Sequence, residues 1–470
     1  MAKHKHNHSR RQFIGSVPCM ALGTATLYSS LLNLKSINSI LGSSASLGGD
    51  YKAIVCVMLG GGNDSFNMLI PRSDAEYNEY AQVRSNQAIP QADILPIEPL
   101  SASGREFGLH PNLPRLQSIF QNGNAAFVSN VGTLVEPVSK TSFQNNSANL
   151  PLGLFSHIDQ AMHWQTGLAD ERTNSGWGGR VADIVKSMNT NNDVSMNISL
   201  GGNNVFQRGE SISEYAINND GGVSVFGYNS PHPFLNLMSE DINDIMSKQY
   251  EDLFKDSYAG TLKRSIESNE VFNSAIENQE PLITQFSNGD RSRLSKDLKM
   301  VAQSIAARET LGQKRQIFFV QLGGFDNHDE LLNNHGELMT ALDDAFSEFY
   351  AATEELGVAD CVTTFTISDF GRTLTSNGNG TDHAWGGNAI VMGGAVKGKD
   401  MYGTYPNLGL GSERELGGGV IVPETSADEY FAEIALWFGL TGSDLTDVFP
   451  NLGNFYSYAP NESPVGFMNI

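Results

Sequence analysis

Carboxylates and imidazoles recur in this chain where apolar runs stop. Residues 51–59 (YKAIVCVML) lead to Gly62-Asn63-Asp64, 316–322 (QIFFVQL) lead to Gly324-Phe325-Asp326-Asn327-His328, and 362–367 (VTTFTI) lead to Ser368-Asp369-Phe370-Gly371-Arg372, with Thr381-Asp382-His383 close behind. Carboxylate oxygen and imidazole nitrogen are the donors that hard or borderline divalent metals take. Ions held this way can clamp the attacking and leaving oxygens of an ester displacement. The expectation is therefore a metal centre formed by Asp64, Asp326, His328, Asp369 and His383, carrying zinc, calcium or manganese, in a hydrolase of phosphate or sulfate esters.

Ser156 is the candidate nucleophile, because a metal or a nearby base can lower the pKa of a serine hydroxyl. It also sits where a helix should start, so its oxygen equally suits an N-cap. Arg372 is the candidate for forking onto an anionic substrate oxygen, with a structural ion pair as its alternative. Trp164, Trp177 and Trp385 offer stacking faces for a sugar, against packing as their ordinary role. His110 and His163 read as packing residues, whereas His328 and His383 each adjoin a carboxylate.

Such residues work only if something brings them together. Apolar strand-like runs alternating with helical patterns imply an α/β fold, a three-layer α/β/α sandwich around a mostly parallel sheet. In such sheets ligands bind beyond the carboxyl ends of the strands, which places Asp64, Asp326 and Asp369 at one edge. Further strands are expected at 125–131 and 388–392. Apolar residues three and four apart predict helices over about 294–311, 336–356 and 427–438. The stretch from about 190 to 290 is richer in Asn and Ser, with a polar helical piece at 265–280, and reads as an insertion or cap. Gly409 to Gly419 reads as a loop, and Gly60-Gly61-Gly62 lacks the spacing of a dinucleotide fingerprint.

The first 35 residues carry five basic residues and no acid, and Ser9-Arg10-Arg11-Gln12-Phe13-Ile14-Gly15 precedes an apolar stretch reaching about Leu34. That pattern is a twin-arginine export signal, assigned to residues 1–48, with residues 49–470 as the mature domain. The expected location is periplasmic or extracellular, with the twin-arginine machinery as a partner and no stable membrane span after processing. The 470-residue chain has a formal charge of −22; removing residues 1–48 leaves 25 basic against 52 acidic residues, or −27. A surface this acidic argues against nucleic acid and anionic lipid. Of three cysteines, Cys19 lies in the signal, while Cys56 and Cys361 adjoin apolar strands and read as unbridged thiols.

Taken together, Leu59-Gly-Gly-Gly-Asn-Asp-Ser-Phe-Asn, His110-Pro-Asn-Leu, Ser156-His157 with Trp164-Gln-Thr-Gly167, Gly176-Trp-Gly-Gly-Arg180, Gly323-Gly-Phe-Asp-Asn-His328, Ser368-Asp-Phe-Gly-Arg372 and Gly380-Thr-Asp-His383 resemble the domain of unknown function 1501 family. The match in order and spacing runs through Trp437-Phe-Gly and Phe449-Pro-Asn-Leu. The resemblance implies the alkaline phosphatase and sulfatase superfamily, its α/β/α fold and a metal site at the strand ends. Carried over by position, Asp64 is the first-strand ligand, Asp326 with His328 a metal pair, Asp369 and His383 later ligands, and Ser156 the nucleophile's counterpart. The chain departs where the family usually has Glu instead of Asp369 and Gly instead of Ser65. Well-characterised phosphatases place His where Phe370 stands, so a second metal is poorly supplied with imidazole. The implied substrate is a small anionic ester or a sulfated or phosphorylated glycan. The alternative is a non-catalytic secreted binding or assembly protein on the same fold.

Overall fold

The computed structural model describes residues 50–470 apart from 102, 103, 224, 230, 231 and 461. The twin-arginine segment therefore lies outside the described residues. Ten strands form one sheet: β1 (Lys52–Gly60), β2 (Ala125–Gly132), β3 (Asn197–Ser199), β4 (Tyr215–Asn218), β5 (Gly221–Gly222), β6 (Arg315–Gly323), β7 (Val362–Ser368), β8 (Gly387–Met392), β9 (Asp400–Tyr402) and β10 (Thr425–Ser426). Their order is β9-β2-β8-β7-β1-β6-β3-β4-β5, with β10 also on β2. The sheet is mostly parallel; β8 runs against both neighbours, and β5 against β4.

The centre is β7-β1-β6, parallel throughout, with Cys56 opposite both Phe365 and Phe319. Because side chains alternate along a strand, β1 feeds two cores. Ala53, Val55, Val57 and Leu59 pack with helices α2 (Pro114–Gln121), α7 (Arg293–Ala306) and α8 (Leu331–Glu355). Ile54, Cys56 and Met58 pack with α3 (His157–Thr166), α4 (Trp177–Val185) and α9 (Ala427–Phe438). Helices on both faces make this a three-layer α/β/α sandwich, as the near-continuous apolar strands require. Helix α1 (Asp74–Arg84) sits beside a small three-stranded antiparallel sheet of 69–71, 95–97 and 107–109.

The 190–290 stretch contributes β3, β4 and β5 to one sheet edge, together with α5 (Pro233–Ser247) and α6 (Leu253–Glu277). Among the described residues no helix is long and apolar enough to cross a membrane. Cys56 is a buried free thiol.

The three tryptophans offered as sugar platforms are corrected here: Trp164, Trp177 and Trp385 are all buried. Trp177 stacks on Phe431 at 4.7 Å and meets Phe206 edge-on at 4.8 Å, while the Trp385 indole donates to the Thr133 carbonyl at 2.8 Å. None has a face left for a ligand. Trp177→Ala should remove an aromatic hub of the α4 and α9 layer and cost about 3–5 kcal/mol, measured by urea unfolding; a loss below about 1 kcal/mol would contradict this packing.

Candidate metal centre

Three parallel neighbours ending at one sheet edge bring remote residues together. Gly61 and Gly62 follow β1 at φ +115° and +83°. A side chain on Gly61 would collide with the backbone at Asp326, and one on Gly62 with the Phe370 ring at 2.5 Å. Glycine is thus required for the three strand-end loops to pack. The Asn63 amide donates to the Ser368 hydroxyl at 2.8 Å, which donates to the Leu59 carbonyl at 2.6 Å, tying β1 to β7. Residues 371–385 fold back so that the Gly371 amide donates to the Trp385 carbonyl (2.8 Å) and the Ala384 amide to the Gly371 carbonyl (2.9 Å). His383 is thereby delivered beside Arg372.

Asp326, His328 and His383 meet in space, and His157 joins them. His157 Nε2 lies 3.1 Å from His383 Nε2 and 3.4 Å from Asp326 Oδ1, and His383 Nε2 lies 3.4 Å from the same oxygen. His328 Nε2 is 3.0 Å from His383 Nε2 and 3.1 Å from Asp326 Oδ1. His157, Asp326 and His383 form the group of metal-competent donors found among the described residues, with His328 touching two of the three.

The outer partners settle which ring nitrogens carry protons. His157 Nδ1 lies 2.7 Å from Asp369 Oδ2, His328 Nδ1 3.1 Å from Asp382 Oδ1, and His383 Nδ1 2.9 Å from the Phe155 carbonyl. A carboxylate and a carbonyl only accept, so each Nδ1 donates, and in the neutral ring Nε2 is left with its lone pair. In the neutral rings the His157 and His328 lone pairs then each face His383 Nε2 and Asp326 Oδ1 with no proton to bridge them. Partial burial lowers the pKa of His383, favouring the neutral ring. Partial burial pushes the Asp326 carboxyl up, but the hydrogen bond and charge of Arg372 outweigh it and hold Asp326 below the usual carboxylate range.

Asp369 and Asp64 were also expected among the ligands; one oxygen of each meets another side chain, and the second oxygen of each is buried without a partner. Asp369 is buried against His157 as its hydrogen-bond partner, and it is Asp382, next to His383 in sequence, that holds His328. Asp64 is buried in an ion pair with Arg84, the last residue of α1. Arg372, the expected substrate fork, is buried and committed: its Nη1 bonds Asp326 Oδ1 at 2.7 Å and the Gly61 carbonyl at 3.3 Å, and its Nη2 bonds the Thr381 carbonyl. Ser156 is the N-cap of α3, its oxygen accepting from the Asp159 amide at 3.5 Å. His163 contacts the carbonyls of Leu168 and Leu152, and His110 accepts from the Asn112 amide.

His157 and Arg84 escaped sequence reasoning as site residues. The available signal for His157 was its place at the first turn of a helix beside the candidate nucleophile. Phe155 supplies the rest: at φ +71° it holds a backbone that non-glycine residues seldom adopt, directly before the cap, with its carbonyl on His383. Phe370 packs against the rings of both His157 (4.7 Å) and His383 (4.6 Å), which are themselves 4.3 Å apart.

The chain belongs to the family described as Protein of unknown function (DUF1501), which matches residues 51–416. No curated protein matches it. Among solved structures, it is similar to the PsFucS1 sulfatase from Pseudoalteromonas sp. at 8% identity, with 87% of this chain and 71% of that one covered and a TM-score of 0.35. A protein in the alkaline phosphatase superfamily from Vibrio parahaemolyticus gives 8% identity, 87% and 74% coverage and a TM-score of 0.35. The phosphoethanolamine transferase EptA from Neisseria meningitidis gives 8% identity, 84% and 56% coverage and a TM-score of 0.35.

If Asp369 orients His157 and sets its tautomer, Asp369→Asn should weaken zinc affinity about 10–100-fold. Competition with a coloured chelator checks this, and unchanged affinity would assign Asp369 a packing role alone.

Proposed function

We propose that this protein is an exported metal-dependent hydrolase of sulfate or phosphate esters whose divalent ion is held by His157, Asp326 and His383, with His328 beside the last two. The observation that carries the reading is the convergence of three Nε2 lone pairs on one carboxylate oxygen, each ring held by a separate acceptor behind it. The donor set fits the group tested against it. Nitrogen and oxygen ligands at about 2.0–2.1 Å from one ion stand about 3.3 Å apart, and the His157, Asp326 and His383 donors are separated by 3.1, 3.4 and 3.4 Å. Imidazole-rich coordination favours zinc over calcium and manganese, which prefer oxygen. A divalent ion bound there would supply Lewis-acid polarisation of an ester oxygen.

The chain's own residues have distinct tasks in this reading. Arg372 fixes the rotamer of Asp326 from beneath, and Asp369, Asp382 and the Phe155 carbonyl orient the three rings. Ser156 adjoins His157 on the same helical turn and is the proposed nucleophile, with a water molecule as the competing attacker. The substrate class is a small anionic ester or a sulfated or phosphorylated glycan, met in the periplasm or outside the cell after twin-arginine export.

A second reading is supported by two specific contacts. The Ser156 oxygen already caps α3, and Arg372 is saturated by Asp326, Gly61 and Thr381. These favour a secreted binding or assembly protein that keeps the centre for structure. The two separate by assay: the zinc- or manganese-loaded chain, offered aryl sulfates, aryl phosphates and sulfated oligosaccharides, should turn over one class. Asp326→Ala should abolish that turnover, and Ser156→Ala should lower it at least about 100-fold if the hydroxyl attacks. Stoichiometric metal with no turnover on any class would favour the second reading.

A further inference from the structure

Exposed apolar side chains concentrate beside the β4-β5 end of the sheet. Of the eighteen large hydrophobic residues exposed among the described residues, ten fall between Val223 and Val271. On α5, Phe234, Leu237, Met238 and Ile245 recur at helical spacing around Asp241, away from the buried Ser239 and Ile242. On α6, Phe254 and Tyr258 stand one turn apart beside Leu253. Phe254 is 85% exposed and Phe234 73%. The Tyr250 hydroxyl donates to the Ile245 carbonyl at 3.2 Å and the Tyr250 amide to Asp256 Oδ1 at 3.4 Å, so the end of α5 and the start of α6 are held together. Apolar exposure on this scale marks a surface that another segment, another chain or a bilayer covers.

Charge decides among the occupants. Between Pro233 and Tyr258 six exposed acids stand against two lysines, and Lys248 is already paired with Asp244. A second copy would bring the same negative face; an anionic bilayer is repelled, and a neutral one gains nothing from the acids. Residues 1–35 offer the complement: five basic residues, no acid, and an apolar stretch from Phe13 to about Leu34. We propose that in the unprocessed chain residues 10–34 dock on the apolar face of α5 and α6, with Arg10 and Arg11 meeting its acids. The connecting chain is long enough. β1 is four strand spacings from β5, about 19 Å. α6 covers that end of the sheet, with Phe272 on Tyr215 of β4 at 5.5 Å and Asn273 accepting from the Gly222 amide of β5 at 2.9 Å. Phe254 lies 18 residues before Phe272 on the same helix, about 27 Å along its axis. Residues 35–49 reach at most about 50 Å, which spans both distances. A contact within one chain also forms without a second molecule at high concentration. It withholds the face from other chains until residues 1–48 are removed, and the metal centre takes no part in it.

The test replaces Phe254, and separately Phe234, by the photo-crosslinker p-benzoylphenylalanine in the full unprocessed chain, which is purified, illuminated, sized and mapped by mass spectrometry. Both positions are exposed, so neither replacement disturbs the core. The expected product has monomer mass, joins either position to residues 10–34, and loses yield at high salt and in Glu240→Lys/Asp241→Lys. Products of dimer mass would assign the face to a second copy. Transfer of the cross-link to lipid when phosphatidylcholine vesicles are added would assign it to a bilayer. Cross-links to other parts of the chain, or none at either position, would place residues 10–34 elsewhere. Each of these three results overturns the proposal, and an unchanged yield in the charge variant overturns the role given to the acids.

Discussion

The site is organised around a repulsive arrangement. The Nε2 atoms of His157 and His328 stand 3.1 and 3.0 Å from His383 Nε2 and close to Asp326 Oδ1, and where the rings are neutral, with each Nδ1 donating to Asp369, Asp382 or the Phe155 carbonyl, no Nε2 proton is left to share. In a low-dielectric setting, opposed lone pairs cost free energy unless a cation lies between them. Such a cluster persists only where the surrounding structure over-determines it. Each ring is held from behind, Phe370 packs against two of them, and Arg372 pins the carboxylate.

The fold supplies that restraint by placing three parallel strands side by side. β7, β1 and β6 end in register, so the loops after Leu59, Gly323 and Ser368 emerge at one edge, and glycines at 61 and 62 let those loops touch. The remaining donor, His157, comes from outside the sheet, on α3, which packs through Trp164 against Phe431 of α9. A histidine at the first residue of a helix, its Nδ1 held by Asp369, has little freedom, which suits a donor that must meet Asp326 and His383.

Much of this frame is legible in the sequence, for physical reasons. Residues 317–320 and 362–367 are buried on both faces, so they read as short runs of apolar and β-branched residues without charge, and α9 shows its helical period with a capping box from Ser426 to Glu429 at its start and Gly439 at its end. Asp326, His328 and His383 are visible because acid and imidazole fall just after strands. The rest is tertiary. Nothing local distinguishes Asp369 as a residue that orients a histidine from one that would itself bind metal, because both roles need a carboxylate at a strand end. Arg84 sits at the end of a polar helix, and only the packing of α1 against the loop at 373–374 reveals its partner. The tryptophans were ambiguous for the same reason: a ring for stacking and a ring for core packing have the same composition around them.

The most direct measurement is X-ray absorption fine structure at the metal edge of the zinc-loaded protein. The proposed centre predicts a shell of nitrogen and oxygen at about 2.0–2.1 Å with multiple scattering from two imidazoles, falling to one when His157 is replaced by Ala. An oxygen-dominated shell, or a spectrum unchanged by His157→Ala, would contradict it.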